Sequence, residues 1–387
     1  MKDEKPIAQS TMTLKQAIDV YGAESSLLRH LNRNEVLRYL RVSGAAHGIS
    51  AIAKATELSR PTVDLALSDL TERGLVIETA QNPSSPRGGR PAREFRFAAG
   101  SGCIAAVTLT SHELSVVIAD LRDRVVGESR VSLADFNREP DPVECLGAAV
   151  DRAVAEFSFT ADQLQVVVAG VRGVVSADGV VQNSGELPSL VGDEVHHRLR
   201  ERFGCPVLVE NDANLATLAE HRNLSGPADV VGLLIDDSIG CGLVLNGELY
   251  RGAHGAAGEF FGDDRTRSWV GTNAEIRSHA REHSLTFTDV FAAARSKRGR
   301  ARTLVTRYAA DIAELVRELL VLDPPVIVVG GEVVNAGDVF MDAFRKALAP
   351  ALHSDTRIVY SDLGATCLRS GALQVAADWM DRKLFHV

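Results

Sequence analysis

The stretch Val209-Glu210-Asn211-Asp212-Ala213-Asn214 places acidic and amide side chains where an apolar strand gives way to a helix. The strand is predicted over Cys205 to Val209 and the helix over Leu215 to His221. An Asp at such a turn can take a proton from a bound hydroxyl, while neighbouring Asn and Glu side chains hold other hydroxyls. The same residues are also typical of a plain helix cap, and the stretch alone favours that simpler interpretation. The rest of the chain has to decide between a hydroxyl-binding cleft and a cap.

The length of 387 residues and the hydrophobic fraction of 45% indicate two or three domains with real cores. Met1 to Ser10 is polar, and no later segment approaches the roughly 18 uninterrupted apolar residues of a membrane span, which predicts a soluble cytoplasmic protein. An odd number of widely spaced cysteines argues against a disulfide framework or a metal cluster and predicts buried, reduced thiols. They are Cys103, Cys145, Cys205, Cys241 and Cys367.

Charge is distributed unevenly along the chain. Residues 1–99 carry 14 Lys and Arg against 11 Asp and Glu, a net charge of +3, and the remainder carries 28 against 40, a net charge of −12. The first quarter can approach a polyanion, whereas the rest would be repelled by one. Any nucleic-acid contact is therefore expected within the first hundred residues.

Those residues have the spacing of a helix-turn-helix. Helices are predicted over Asn34 to Val42 and Ile49 to Leu58, and a third begins after Ser59, which can cap it, with Pro61 tolerated in its first turn. Gly74 is a natural C-terminal stop for that third helix. The leader before these helices has helical spacing too, and is interpreted either as a mobile arm or as a docking helix.

In a helix-turn-helix the third helix lies in the major groove with its N-terminal residues toward the base edges. The residues that this geometry presents to DNA are Arg60, Pro61, Thr62, Asp64 and Ser68. Arg60 is the best candidate for contacting a guanine.

A basic wing follows the third helix. Leu75 to Thr79 and Glu94 to Phe97 are predicted as a hairpin joined by the loop Ala80 to Arg93, which contains no carboxylate. An extended Arg- and Gly-rich loop is suited to a narrow A·T-rich minor groove. The wing residues predicted to contact DNA are Arg87, Gly89, Arg90 and Arg93. The alternative is that the winged helix serves as a protein-interaction or dimerisation module.

From Cys103 onward, β-rich runs and helices follow one another, and the second half repeats the style of the first. The predicted strands are Ile104 to Thr110, Leu114 to Ala119, Val125 to Val131, Leu164 to Val171, Val207 to Val209, Val230 to Ile235, Gly242 to Asn246 and Val326 to Val329. The predicted helices are Pro142 to Phe157 and Arg302 to Leu322. Two α/β lobes facing each other across a cleft account for this pattern. Ligands of such folds bind at the carboxyl ends of strands, where the Glu210 cluster and Gly330-Gly331 fall.

Together, five ordered motifs resemble the ROK family of bacterial repressors and sugar kinases. They are Gly88-Gly89-Arg90-Pro91 in the wing, Glu210-Asn211-Asp212-Ala213-Asn214, Ser238-Ile239-Gly240-Cys241-Gly242, Gly252 to Glu259, and Ile327-Val328-Val329-Gly330-Gly331. The resemblance runs from about Leu31 to the C-terminus. The winged helix is typical of the repressor branch, since the kinases lack it.

The resemblance implies an N-terminal winged helix-turn-helix followed by a two-lobed actin-like or ribonuclease-H-like α/β domain, and a homodimer. The sequence itself does not separate a dimer from a tetramer. The expected boundaries are an arm over residues 1–25, the winged helix over 26–99 and the two-lobed domain over 100–387. By similarity, sugar hydroxyls would be held by Asn211, Asp212, Glu259 and Glu275, and Asp212 matches the catalytic base of the kinases. For Glu259 and Glu275 the alternative is an exposed surface carboxylate.

Several departures from the kinase pattern argue against an enzyme. The first phosphate loop of the kinases, Asp-x-Gly-Gly-Thr, is replaced by Thr108-Leu109-Thr110-Ser111-His112, and the second, Gly-Thr-Gly-Ile-Gly, by Asp236-Asp237-Ser238-Ile239-Gly240. Two like charges about 4 Å apart repel by roughly 4 kcal/mol at an effective dielectric near 20, so carboxylates there oppose a triphosphate. We therefore expect nucleotide binding to be lost and no cofactor to be needed.

The metal site of the family is also missing. The family's zinc-binding Gly-His pair and cysteine run are absent, because Phe260-Phe261-Gly262-Asp263-Asp264 follows Glu259 and no cysteine lies between Cys241 and Cys367. His279 and His283, at i and i+4, are interpreted as a solvated helix face rather than as metal ligands.

The sequence thus predicts a DNA-binding transcriptional regulator, a repressor of carbohydrate or other metabolic genes. As a dimer it would place two winged helices on a roughly palindromic operator, and a small polar effector bound between the lobes would change their spacing. Two alternatives stay open: a sugar kinase that carries a winged helix, and a regulator with a vestigial cleft controlled by a protein partner.

Overall fold

The computed structural model describes residues 14–79, 93–110, 113–132, 136, 140–184, 188–260, 268–296 and 298–385, with the backbone alone over 14–25. The chain divides into two compact units. The first consists of residues 1–101 together with 381–387, and the second of residues 102–380.

Three helices and a small antiparallel sheet form the first unit. The elements are α1 (Leu14–Ser43), β1 (His47–Gly48), α2 (Ile49–Thr56), α3 (Arg60–Glu72), β2 (Val76–Thr79) and β3 (Glu94–Phe97), with the strands in the order β1-β3-β2. α1 is one continuous helix, so the leader and the predicted helix over Asn34 to Val42 belong to the same element.

The local signals that predicted α3 are present in its structure. The Ser59 hydroxyl accepts a hydrogen bond from the backbone N–H of Thr62 at 3.3 Å, and Pro61 lies in the first turn. Gly74, at φ 69°, follows the helix in the left-handed region. One apolar face of each helix and of β3 forms the core of the unit. Its fully buried members include Val36, Leu37, Leu40, Ile52, Val63, Leu67, Leu70 and Phe95.

The end of the chain belongs to this first unit. The Asn34 side-chain amide donates to the backbone oxygen of Phe385 at 2.7 Å, and the Arg38 guanidinium lies over the Phe385 ring. Arg41 forms an ion pair with Asp381.

Two five-stranded sheets organise the second unit. The first sheet contains β4 (Cys103–Leu109), β5 (Glu113–Asp120), β6 (Val125–Ser132), β7 (Leu164–Val171) and β10 (Val207–Asn211), and the second contains β11 (Val230–Ile235), β12 (Ile239–Leu245), β13 (Glu248–Leu249), β14 (Val326–Gly330) and β15 (Arg357–Tyr360). Their orders are β6-β5-β4-β7-β10 and β13-β12-β11-β14-β15, so each is an antiparallel meander extended by two parallel strands. The hairpin of β8 (Val174–Val175) and β9 (Val181–Asn183) follows β7. This duplicated order is the predicted ribonuclease-H-like, two-lobed architecture.

Helices cover the sheets. They are α4 (Pro142–Glu156), α5 (Glu194–Phe203), α6 (Asp212–Leu224), α7 (Ser268–Glu282), α8 (Phe287–Ala293), α9 (Arg300–Val316), α10 (Asp338–Leu348) and α11 (Cys367–Phe385). The core of the first sheet includes α4, α5 and buried strand residues such as Val107 and Val167, and that of the second includes α9, α10 and Val329. The predicted helix over Arg302 to Leu322 is α-helical to Val316 and then 3-10 helical.

All five cysteines are buried free thiols, as the sequence predicted. None of the helices in the described part of the chain combines the length and the apolar composition needed to cross a bilayer.

α6 joins the two lobes, since it begins where β10 of the first sheet ends and packs on β11 and β12 of the second. Glycines make this close approach possible. A Cβ at Gly232 or at Gly242 would lie 2.1 or 2.3 Å from the Thr217 hydroxyl oxygen. On the other side of α6, a Cβ at Gly371 of α11 would lie 1.9 Å from the backbone oxygen of Leu215. Side chains at these positions would push α6 off its neighbours.

Gly371→Ala should therefore destabilise the protein by about 1–3 kcal/mol, because its methyl group overlaps backbone that cannot shift alone. Gly271→Ala is the matched control, since it also lies in a helix but its added methyl meets nothing within 4 Å. The free energy of unfolding of that control should rise by about 0.5–1 kcal/mol, because alanine has a higher helix propensity than glycine. Chemical denaturation of both variants measures the difference, and equal effects would contradict the packing described for α6 and α11.

Candidate functional site

The cap interpretation of the acidic cluster is correct for Asn211. Its side-chain oxygen accepts from the backbone N–H of Asn214 at 2.9 Å and so caps α6, while its side-chain nitrogen donates to the backbone oxygen of Gly173 at 2.9 Å. The cap also fixes the start of α6, at Asp212, beside the end of β7, because Asn211 pairs with Val171 across the parallel ladder.

Glu210 does not serve as a hydroxyl ligand, which corrects the sequence-based interpretation. Its carboxylate is buried, and one oxygen accepts from the backbone N–H of Asn211 at 2.9 Å and from the Asn214 amide at 2.8 Å. The other oxygen is paired with the Arg251 guanidinium at 2.6 Å. Glu210 therefore stabilises the turn.

A cavity of about 190 Å³ lies between the lobes, in front of the Asn211 cap. It is lined by Arg172, Gly173, Ser184, Asn211, Asp212, Leu234, Asp236, Ser238, Ile239, Gly240 and Glu259. The size suits a small polar molecule, and the lining offers carboxylates, a hydroxyl and a guanidinium. The cap and the cleft are therefore not alternatives, since one turn supplies both.

Arg172 is the cation of this cavity and was not predicted from the sequence. It follows β7, is buried, and donates from Nη2 to Asp237 Oδ1 at 2.7 Å and to the Ser238 hydroxyl at 2.6 Å. Its Nε lies 3.9 Å from Asp212 Oδ2. The only sequence signal for it was a charged residue directly after a predicted apolar strand, at the edge where ligands of α/β folds bind.

Asp237, in turn, is held by a second guanidinium. Arg277 of α7 donates to the Asp237 backbone oxygen at 2.7 Å and lies 3.7 Å from its carboxylate, and Asn273 donates to the same backbone oxygen at 3.2 Å. The loop that corresponds by resemblance to the second phosphate loop is thus filled by protein side chains, with Arg172 on one side and Arg277 on the other.

Burial shifts the acids of the cleft toward their protonated forms. It raises the pKa of Asp212 to about 7 against the opposing field of Arg172, and that of Asp236 to about 6 against a hydrogen bond from the Glu332 backbone N–H at 2.8 Å. The Asp212 side chain is only 13% exposed. A carboxyl that is partly protonated near neutral pH can both donate to and accept from a hydroxyl.

The two remaining predicted effector residues differ in position. Glu259 lines the cavity and is exposed, and desolvation by the surrounding protein raises the pKa of its carboxyl. Glu275 does not line the cavity: it lies on α7, half-exposed, and is paired with Arg307 at 2.5 Å. This position agrees with the alternative interpretation of Glu275 as a surface carboxylate.

Residues 261–267, which include most of the segment compared with the family's zinc run, lie outside the described residues. The predicted solvated face of α7 holds for His283 and not for His279, which is buried.

α3 presents the face that a DNA-reading helix requires. Arg60, Pro61, Asp64 and Ser68 are exposed, as is Leu65, whereas Val63, Ala66 and Leu67 are buried. Thr62 is half-buried, and its hydroxyl shares a hydrogen bond with the Ser59 hydroxyl at 2.8 Å. Thr62 therefore also takes part in the cap.

Arg93 ties the base of the wing to α3. Its guanidinium is paired with Glu78 at 3.0 Å, lies 3.7 Å from Asp64 and stacks over the Phe95 ring. These exposed contacts orient the side chain but contribute little stability. The other predicted wing residues, Arg87, Gly89 and Arg90, lie outside the described residues.

The sequence matches the family model described as the ROK family over residues 104–262 and 268–382, which is more than half of the chain. The chain belongs to the ROK family.

Residues 35–78 of this ROK protein also match the IclR helix-turn-helix domain. The xylose repressor of Caldicellulosiruptor bescii is 23% identical over 239 residues, covering 60% of this chain and 58% of the repressor. The transcriptional dual regulator NagC of Escherichia coli is 26% identical over 244 residues, covering 60% of this chain and 57% of NagC. The alignments thus span less than two thirds of these relatives.

Solved structures show the same fold. A ROK family transcriptional regulator described as a homologue of the E. coli MLC protein superposes with a TM-score of 0.67 at 18% identity, covering 92% of this chain and 98% of that one. The ROK hexokinase of Thermus thermophilus superposes with a TM-score of 0.58 at 23% identity and covers 72% of this chain and 99% of that one. The kinase therefore matches less of the chain than the regulator does.

The raised pKa of Asp212 predicts a specific dependence of stability on pH. Because its folded pKa is about 7 and its ordinary value is 3.8, the native state holds a proton that the unfolded state has lost between these values. This stabilising contribution is complete at acid pH and is lost as pH rises through about 7. As the pH rises from 5 to 8, the wild type should lose roughly 2–3 kcal/mol of unfolding free energy that Asp212→Asn does not lose.

Urea denaturation at both pH values measures this difference. Asp178→Asn, at an exposed turn position, is the control and should run parallel to the wild type. A parallel profile for Asp212→Asn as well would contradict the buried environment described for its carboxyl.

Proposed function

We propose that this ROK protein is a DNA-binding transcriptional regulator, acting as a repressor, whose interlobe cavity binds a sugar or a sugar-like effector. The observation that carries the proposal is α3: it is capped, presents Arg60 outward at its N-terminal end, and is followed by a hairpin with a basic loop. The match of residues 35–78 to a helix-turn-helix domain supports it independently. Relatives named as xylose repressors support the repressor role and the class of effector.

The cavity favours a neutral polyhydroxylated effector over a phosphorylated one. Asp212, Asp236 and Glu259 offer oxygens for hydroxyl groups, whereas Arg172, the cation that an anion would need, is already paired with Asp237. A phosphate would have to displace this pair and lie against the carboxylates. We infer that effector binding shifts the operator affinity, which requires tighter binding to one arrangement of the lobes than to the other.

Phosphoryl transfer is disfavoured by the same residues. In the kinase interpretation Asp212 would be the base, but the loop at Asp237 and Ser238 is filled by the Arg172 guanidinium rather than open to a nucleotide phosphate. ATP consumption in the presence of any hexose would instead support the sugar-kinase interpretation.

We also propose that the protein acts as a homodimer on an inverted repeat, because two copies of α3 double the number of base contacts and match a palindromic site. Selection of genomic fragments by the purified protein at physiological salt tests this. Enriched fragments that share an inverted repeat support it, and the absence of enrichment by folded protein contradicts autonomous DNA reading.

Arg60→Ala should weaken binding to the selected operator by about 1–3 kcal/mol and relax the base preference at one position of each half-site. Arg152→Ala, an exposed arginine of α4 in the other unit, is the matched control and should bind like the wild type. Fluorescence anisotropy with the operator and with single-base variants measures both. A loss of affinity that is uniform across all sequences would instead assign Arg60 to a phosphate contact.

Asp212→Asn and Glu259→Gln should retain operator binding but lose most of the response to the effector, because each removes an acceptor from the cavity. Glu275→Gln should leave the response intact, since Glu275 is paired with Arg307 outside the lining. Operator release is titrated with a panel of neutral and phosphorylated sugars. Wild-type response in all three variants would favour a vestigial cleft that is controlled by a protein partner.

A further inference from the structure

The C-terminal end of α7 and the residue after it carry three metal-ligating side chains outside the cleft. His279, Glu282 and His283 each offer one ligand atom, and these atoms lie within 4.8 Å of one another. The spacing i, i+3 and i+4 places them on one face of the helix. His279 is buried, whereas Glu282 and His283 are exposed. The first side chain is therefore held by packing, and the other two can adjust their positions.

The tautomer of His283 is set by its own helix. Its Nδ1 lies 2.9 Å from the backbone oxygen of His279, and because a carbonyl only accepts, Nδ1 must carry the proton. Nε2 then keeps its lone pair. A histidine that donates its other ring N–H to a carbonyl is the usual arrangement of a metal ligand. The contact also caps an end carbonyl of α7, but capping uses Nδ1 and leaves Nε2 available.

His279 supplies a second, independent observation. Its ring is buried, with 8% of the residue exposed, and its Nδ1 has no hydrogen-bond partner within the part of the chain that the structure describes. Buried ring nitrogens are normally paired, so an unpaired one indicates a missing partner. Its ring centroid lies 4.2 Å from that of His283.

The carboxylate of Glu282 is accessible to a cation. Glu282 forms an ion pair with Arg300 at 3.5 Å, and both side chains are more than half exposed. An exposed pair of this kind is worth little and exchanges readily with another cation.

We propose that His279, Glu282 and His283 form a binding site for a divalent late transition metal, Zn²⁺ or Ni²⁺. Two imidazoles and one carboxylate are a donor set that these ions take, with water completing the coordination. Bound ligand atoms would lie about 3.3 Å apart for metal–nitrogen bonds near 2.0 Å, so the exposed Glu282 side chain must move inward by a rotamer adjustment, and the His283 ring must tilt while it keeps its bond to the His279 carbonyl. The site differs in residues and position from the zinc run that the family resemblance implied.

Isothermal titration of tag-free, full-length protein with Ni²⁺ and with Zn²⁺ tests the site. We expect saturable binding of one ion per chain and an upward shift of the thermal unfolding midpoint when the ion is in excess. His283→Ala and Glu282→Gln alter exposed side chains, and each should weaken binding roughly 10- to 100-fold. His353→Ala, at an exposed histidine of another loop, is the matched control and should bind like the wild type.

Circular dichroism confirms that each variant is folded before titration. No saturable binding by the wild type would overturn the proposal. Equal affinity of the wild type and His283→Ala would do so too, as would a nickel–thiolate absorption band, which would assign the ion to a cysteine.

Discussion

The buried guanidinium of Arg172 is the constraint on which the cleft depends. Removing a charge from water costs several kcal/mol unless partners replace the lost hydration, and here Asp237, Ser238 and the more distant Asp212 do so. Arg172 follows β7 of the first sheet, whereas Asp237 follows β11 of the second. The ion pair that compensates the lost hydration of Arg172 therefore also connects the ends of the two sheets. Breaking it on one side would leave a buried charge unpaired, so any separation of the two sheet ends at this point carries an electrostatic cost.

That coupling explains why the acids of the cavity differ from ordinary surface carboxylates. Asp212 and Asp236 lie close to one cation that is already shared, and burial raises their pKa values to about 7 and about 6. A neutral polyol can bind such a site without any change in its charges, because hydroxyl groups donate to carboxylates and accept from a protonated acid. An anion would add charge to a site that cannot neutralise it. For the proposed effector, the electrostatics of the cavity favour a neutral ligand over an anion.

Local signals in the sequence were sufficient to predict the helices and strands. They were insufficient to predict which residues pair with the charged side chains. The cap at Ser59, the stop at Gly74 and the apolar runs of the sheets each act over a few residues, and they recovered α3, the hairpin and the two lobes. Glu210 was taken as a hydroxyl ligand from its place in the turn, and Glu275 from the family resemblance. Their partners, Arg251 and Arg307, lie on other elements that the fold brings close. Arg172 was missed for the same reason, since its importance comes from a loop of the opposite lobe.

The glycines of Ser238-Ile239-Gly240-Cys241-Gly242 have a physical reason that does not involve a phosphate. A Cβ at Gly240 would lie 2.7 Å from the Cβ of Ala213, and one at Gly242 would lie 2.3 Å from the Thr217 hydroxyl, so α6 can reach β12 only if both positions are glycine. Glycines at this position are therefore required by helix packing whether or not a nucleotide binds. The neighbouring Asp236 and Asp237 have polar roles instead, since Asp236 accepts from the Glu332 backbone N–H and Asp237 pairs with Arg172. The proposed effector cleft therefore rests on these carboxylates and on the guanidinium that Asp237 holds, and not on the glycines.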